Sequence, residues 1–226
     1  MPNKARKYTY AESLTLSTTT TASDQTKVTL TFTPDASSTY VYIWNCDIQA
    51  TSGTTYDNIV TLKNNAGTTL STSNWEAKDT TDFATLSGIA FETFGASPTS
   101  QSITLTYRTE NSGSSVGIRN ARIIAIKLTS ADAYVENTAD ASTTSTTLQT
   151  ATTLTFTPAT TGNYLIIGSA EMRSSGASVT VNSQITYAGV GYNVAQTRIN
   201  DTTNYVSGMM QASLQSLTAS SKSVTL

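Results

Sequence analysis

At 226 residues the chain can bury one large β core or two ordinary ones, and its charged residues make up 12% of the sequence, about half the usual share. A net charge of −2 argues against nucleic acid as a partner, the absence of histidine excludes Ser-His-Asp and Cys-His triads and every His-based metal site, and a single cysteine excludes an internal disulfide or a thiolate cluster. No apolar run reaches membrane-spanning length and the first dozen residues lack the apolar core of a signal peptide, so synthesis in a cytoplasm, with no membrane partner, is the expectation.

Residues 1–7 read as a flexible basic arm, with Lys4, Arg6 and Lys7 ahead of Tyr8 and Tyr10. Strands are predicted near 10–16, 27–33, 40–50, 56–63, 68–71, 83–93, 102–108 and 115–128. They are separated by turn clusters such as Asn64-Asn65-Ala66-Gly67 and Asn111-Ser112-Gly113. Threonine, β-branched and comfortable on a half-wet pleated surface, supplies much of the remainder, and no helical period appears. Eight strands at this spacing point to an antiparallel sandwich of jelly-roll type.

The third strand shows how such a domain buries itself. Tyr40, Tyr42, Trp44, Cys46 and Ile48 share one face, and Val41, Ile43, Asn45, Asp47 and Gln49 the other. One face must enter the core, with Cys46 a small buried hydrophobe. The apolar start of the opposite face needs a cover, which a loop, the sister domain or a neighbouring subunit could supply. Val41 and Ile43, with Leu165 and Ile167 at the matching positions further on, are therefore the candidate oligomer interface.

Those matching positions exist because the chain is a duplication. Thr29-Leu30-Thr31-Phe32-Thr33-Pro34 returns as Thr153-Leu154-Thr155-Phe156-Thr157-Pro158, 124 positions later. The same offset pairs Tyr10 with Tyr134, Glu12 with Glu136, Tyr40 with Tyr164 and Ile43 with Ile167. Further on, Ser102-Ile103-Thr104-Leu105 answers to Ser223-Val224-Thr225-Leu226. The expected organisation is an arm over 1–7, a first jelly roll over 8–128, a joint over 129–132 stiff enough to make a rod, and a second jelly roll over 133–226. Because Leu226 corresponds to Leu105, the second copy lacks the counterpart of the last strand, the most apolar run in the chain. Either the natural chain continues, which is the favoured reading, or another chain donates the strand, or the second copy is a partial domain.

Catalytic chemistry finds little support. Glu76, Asp79 and Asp82 are spaced like a calcium loop, yet Arg198 and Asn204 stand where the copy should repeat two of these acids, leaving Asp79 and Asp201 as turn caps. The acids common to both copies, such as Glu12 with Glu136 and Asp47 with Glu171, suit a shared fold better than a glycosidase pair. Gly189-Val190-Gly191 between Tyr187 and Tyr192 reads as a hairpin turn. No enzyme activity and no cofactor are expected. Trp75, in a polar run, is the candidate glycan contact, against the plainer reading that it closes the end of the sandwich.

The repeated Leu-Thr-Phe-Thr-Pro turn, the Asp79-Thr80-Thr81-Asp82-Phe83 segment and the strand Ile118-Arg119-Asn120-Ala121-Arg122-Ile123-Ile124-Ala125 resemble the tandem jelly-roll structural proteins of bacteriophage virions. The resemblance implies a non-enzymatic decoration, fibre or spike protein in the virion, commonly a homotrimer, with other virion proteins as partners. It carries over no binding residue. The alternative is a glycan-binding module directed at a cell surface. If the arm is the docking element, with Lys4, Arg6, Lys7 and Tyr8 as its contacts, deleting residues 1–7 abolishes attachment to the particle while the domains still fold; co-sedimentation of the truncated protein with particles measures this.

Overall fold

Alternating apolar residues form strands throughout the first copy: β1 (Tyr8–Ser13), β2 (Ser17–Thr19), β3 (Gln25–Phe32), β4 (Thr39–Ser52), β5 (Asp57–Lys63), β6 (Thr69–Glu76), β7 (Ala84–Thr93), β8 (Gln101–Thr109) and β9 (Ser115–Lys127). The structure is a computed structural model, and it describes residues 7–53, 56–77, 79–176, 179–199 and 210–226. Two antiparallel sheets face each other. One runs β1-β9-β4-β7, with β2 also on β9, and the other β3-β8-β5-β6. That strand order is the jelly roll, each sheet mixing early and late strands as two nested Greek keys require.

The core lies between the sheets. Tyr40, Tyr42, Trp44, Cys46 and Ile48 of β4 point into it, each no more than 1% exposed, and meet Leu62, Ile103, Leu105, Ile118 and Ile123 from the other strands. Burial pushes the Cys46 thiol well above its ordinary pKa, so it is an inert packing group. At one end Phe94 meets Phe32 and Tyr40 edge to face at centroid distances of 6.4 and 5.9 Å, and Phe32 and Tyr40 lie tilted against each other at 5.1 Å.

A single expected strand over 10–16 is instead two, β1 and β2. Opposite the break, the register of β9 on β4 slips by one residue between Asn45 and Asp47. Asn120 takes up the extra residue with φ of 52°, a conformation asparagine tolerates better than most residues. Its backbone N–H donates to the Leu14 carbonyl at 3.3 Å and its side chain to Asp47 Oδ2 at 2.7 Å. The bulge thus turns the edge strand and anchors it at the same point.

The second copy follows the same plan with β10 (Thr153–Phe156), β11 (Gly162–Gly168), β12 (Val179–Tyr187), β13 (Val190–Ile199), β14 (Gln211–Leu217) and β15 (Lys222–Thr225). The sheet β10-β15-β12-β13 reproduces β3-β8-β5-β6, and β11-β14 reproduces β4-β7. The hairpin between β12 and β13 turns through Ala188 and Gly189, both at positive φ, as expected from the Gly-Val-Gly stretch. Among the described residues β9 has no counterpart, and no strand forms over 133–152 although Tyr134 and Glu136 match Tyr10 and Glu12 of β1. In the first copy β1 pairs with β9 alone. Without that neighbour the segment has no ladder to join.

Gly88 of β7 lies against the Trp44 indole, so close that a Cβ there would sit 2.6 Å from the ring nitrogen and 2.8 Å from Cε2. Gly88→Ala is therefore expected to destabilise the first domain by about 1–3 kcal/mol, through overpacking of a ring that has no room to retreat. Chemical denaturation followed by Trp fluorescence measures the loss; an unchanged midpoint would show that the ring can move.

Candidate interaction face

Strand alternation dictates what β4 shows to the outside once its aromatic face is buried. Val41 and Ile43 face outward, half-buried, and the register extends them into two apolar rows across the sheet. Tyr8, Ile126, Val41 and Phe91 make one row; Tyr10, Ile124, Ile43 and Ile89 make the next. Tyr8 and Tyr10 are the most open of these, at 62% and 63% exposed.

Polar groups bound this band at both ends. On one side Arg122 Nε donates to Glu12 Oε2 at 3.3 Å, and beyond it Asp47 accepts from Thr85 Oγ1 at 3.0 Å and faces Arg119 Nε at 3.5 Å. Arg119 also lies over the Phe83 ring, 3.6 Å from its centroid. On the other side Lys7 and Lys127 reach the two oxygens of Asp35 at 2.5 and 2.8 Å, and their hydrogen bonds, Lys127's first, hold the Asp35 carboxyl below its usual range. An apolar patch with a polar rim is the anatomy of a protein contact surface.

The second copy repeats the band where it can. Leu165 and Leu214 are opposite one another in β11 and β14, 63% and 67% exposed, at the positions of Val41 and Phe91. Ile167, at the position of Ile43, is half-buried beside Ala212. The four interface candidates thus occupy equivalent outward sites on the two sandwiches. Tyr134, just beyond the joint, stacks on Phe91 with centroids 4.3 Å apart and planes 16° from parallel, so the lead-in to the second copy covers one corner of the first band.

The other candidates fall elsewhere. Lys7 is tied into the sandwich, since its carbonyl accepts from Lys127 N at 3.1 Å, and Tyr8 opens β1. Lys4 and Arg6 lie outside the described residues, as do Asp201 and Asn204 and the side chain of Arg198. Trp75 belongs to β6 opposite Asn58 and packs half-buried against the core, where it closes that end of the sandwich. Asp79 caps a turn: Oδ1 accepts from the backbone of Thr81 and Asp82 and from Thr81 Oγ1, at 2.8 to 2.9 Å. Residues 129–132 form a closed turn in which Asp132 Oδ2 accepts both donors of Thr129 at 2.8 Å.

No known family model matches the chain, and no curated protein does. Among solved structures it is similar to an insecticidal delta-endotoxin of Bacillus thuringiensis, at 15% identity and a TM-score of 0.33 over 50% of this chain and 19% of that one, so it spans about a fifth of the toxin's length. It is also similar to a sugar-binding EclA C-terminal domain, at 17% identity and TM-score 0.29 over 54% of this chain and 81% of that one. The tandem CBM22 domains of Paenibacillus barcinonensis Xyn10C align along 96% of this chain and 84% of theirs, at 9% identity and TM-score 0.28. No site residue is carried over from any of them.

The Tyr134–Phe91 stack is the aromatic anchor of the segment that leads into the second copy. Tyr134→Ala should raise the rate of proteolytic cleavage within 133–152 about two- to tenfold, the factor corresponding to one aromatic pair. Limited proteolysis with mass identification of the fragments checks it, and an unchanged rate would mean the stack holds nothing in place.

Proposed function

We propose that this chain is a non-enzymatic structural protein of a bacteriophage virion, a capsid decoration protein or a part of a fibre or spike, that assembles with copies of itself through the outer faces of its sandwiches. One observation carries the reading: the apolar band on the outside of the β1-β9-β4-β7 sheet, with the same outward positions apolar again at Leu165 and Leu214. A sandwich needs only its inward positions apolar to fold. Two rows of aliphatic and aromatic side chains on the outer face do nothing for the fold itself, and exposed bands of this kind mark contact surfaces. The low charge of the chain suits a packed assembly, where like-charge repulsion between copies is small. A homotrimer is the arrangement that the resemblance to phage tandem jelly rolls favours.

A second reading rests on Tyr8 and Tyr10, two open aromatic rings in adjacent outward positions of β1. Such rings can stack on sugars, which makes glycan binding the competing function and moves its expected site from Trp75 to the sheet edge.

Ile43→Asp combined with Leu165→Asp places charge in both bands without touching either core. The double variant is expected to sediment as a monomer where the parent chain forms an oligomer at about 100 µM, with a melting temperature within about 4 °C of the parent. A parent chain that is monomeric at that concentration, yet binds a glycan array and loses binding on Tyr10→Ala, would replace the structural reading with the second one.

A further inference from the structure

At one end of the first sandwich a cleft of about 250 Å³ opens where the turn before β4 meets the joint that follows β9. Residues 37–39 and 127–129 line it, together with Asp132 and Tyr134. The joint is fixed there at two points: Leu128 N donates to the Thr39 carbonyl at 2.9 Å, and Tyr134 stacks on Phe91. Pockets for drug-sized molecules run to about 300–1,000 Å³, so this one has room for a single ring. Its charged groups are already engaged. Lys127 Nζ donates to Asp35 Oδ2 at 2.8 Å, and Asp132 Oδ2 accepts both donors of Thr129 at 2.8 Å. A charged ligand gains only by breaking one of these pairs, whereas a neutral one leaves them intact. Most of the remaining lining is hydroxyl, from Ser37, Ser38, Thr39 and Thr129, and each hydroxyl can both donate and accept. Tyr134 adds an aromatic surface: Phe91 covers one face of its ring, yet the residue stays 46% exposed.

A second observation falls on the same lining. Ser37 has φ of 48°, in the left-handed region that glycine occupies at less cost. Gly53 and Gly67 take that region elsewhere in the first sandwich, and Asn120 offsets it with the side-chain bond to Asp47. Ser37 has no such compensation: its N–H donates to the Gly95 carbonyl at 2.8 Å, a bond that glycine would make equally well, and its hydroxyl bonds nothing among the described residues. Nor is the conformation shared by the copy, since Thr161, 124 positions later, is not at positive φ. A strained residue whose side chain does nothing for the fold points to a use outside it. We propose that this cleft binds one neutral sugar ring of a glycan, its C–H face on Tyr134 and its hydroxyls on Ser37, Ser38 and Thr129. A pyranose combines an apolar face with a hydroxylated edge, which is the complement of an aromatic surface set among hydroxyls. The site is separate from the open rings of Tyr8 and Tyr10, and it does not depend on the assembly proposed above.

The test titrates the full 226-residue chain, isotope-labelled, with glucose, galactose, mannose and N-acetylglucosamine up to about 50 mM and follows its amide chemical shifts. At least one sugar is expected to bind saturably with a dissociation constant of about 1–10 mM, moving the amides of residues 37–39 and 127–134. Ser37→Gly should weaken that sugar about three- to tenfold while raising the melting temperature by about 2–4 °C, because it removes a hydroxyl and relieves the backbone together. Tyr134→Leu should abolish binding, and Tyr134→Phe, which keeps the ring, should retain it. Sedimentation of the same samples reports the oligomer separately, so this site and the assembly fail independently. The proposal is overturned if none of the four sugars shifts these amides, if the shifts fall on β1 instead, or if Ser37→Gly binds with the affinity of the parent chain.

Discussion

Strand β9 is the constraint on which the first sandwich depends. It is bonded to β1 and β2 on one side and to β4 on the other, and it delivers Val116, Ile118 and Ile123 to the core, all 0% exposed. Burying an aliphatic side chain of this size contributes about 1.5–3 kcal/mol. Three of them therefore carry a stabilisation comparable with the whole net stability of a small domain, about 5–15 kcal/mol. The two copies together show the dependence directly. Where β9 is present, its neighbour β1 is a regular strand and Tyr40 and Tyr42 are sealed; in the second copy, where the described residues hold no counterpart of β9, the β1-like segment is irregular and Tyr164 and Ile166 are half-open.

The same strand links core to surface. Because side chains alternate, Ala121, Ile123 and Ala125 line the core while Arg122, Ile124 and Ile126 join the outer band and its rim. The bulge at Asn120 sets the phase of that alternation. Without the extra residue there, every side chain between it and Lys127 would exchange faces, putting Arg122 and Ile124 inside. Asn120 and Asp47, joined at 2.7 Å across the strands, hold the residue that decides which side chains the sheet turns outward.

Most of the first domain was legible in the sequence because its strands are half-buried and strictly alternating, so period two marks both the strand and its inward face. The Tyr40-to-Ile48 face is the clearest case, and the copy at a fixed offset showed that Leu226 answers to Leu105 of β8. Trp75 was legible as one of two alternatives, a glycan contact or an aromatic that closes the end of the sandwich; it lies on the edge strand β6 and its ring packs against the core. Two features were not legible for physical reasons. The bulge depends on one residue adopting positive φ, which an asparagine permits without announcing. The interaction band needs the register of four strands at once. Val41 and Ile43 were visible as an apolar start to one face, but Tyr8, Tyr10, Ile89 and Phe91 join them only through hydrogen-bonded pairing across distant segments.

The way the copies differ bears on which surfaces matter. Trp44, the largest side chain in the first core, is replaced at its matching position by Gly168, where a Cβ would stand 3.1 Å from both Ile185 and Leu226; these two occupy the space instead. The second core has thus been rebuilt with smaller pieces on the same frame. Its outward positions have not drifted in the polar direction that solvent exposure would allow. Leu165 and Leu214 remain large and apolar at 63% and 67% exposure, although nothing in their own sandwich rewards it. Hydration favours hydroxyls at such sites, and this chain has threonine and serine in abundance elsewhere on its surface. Leu165 and Leu214 therefore repeat, on the second sandwich, the outward apolar character of Val41 and Phe91, and this shared feature is what the proposed assembly would use.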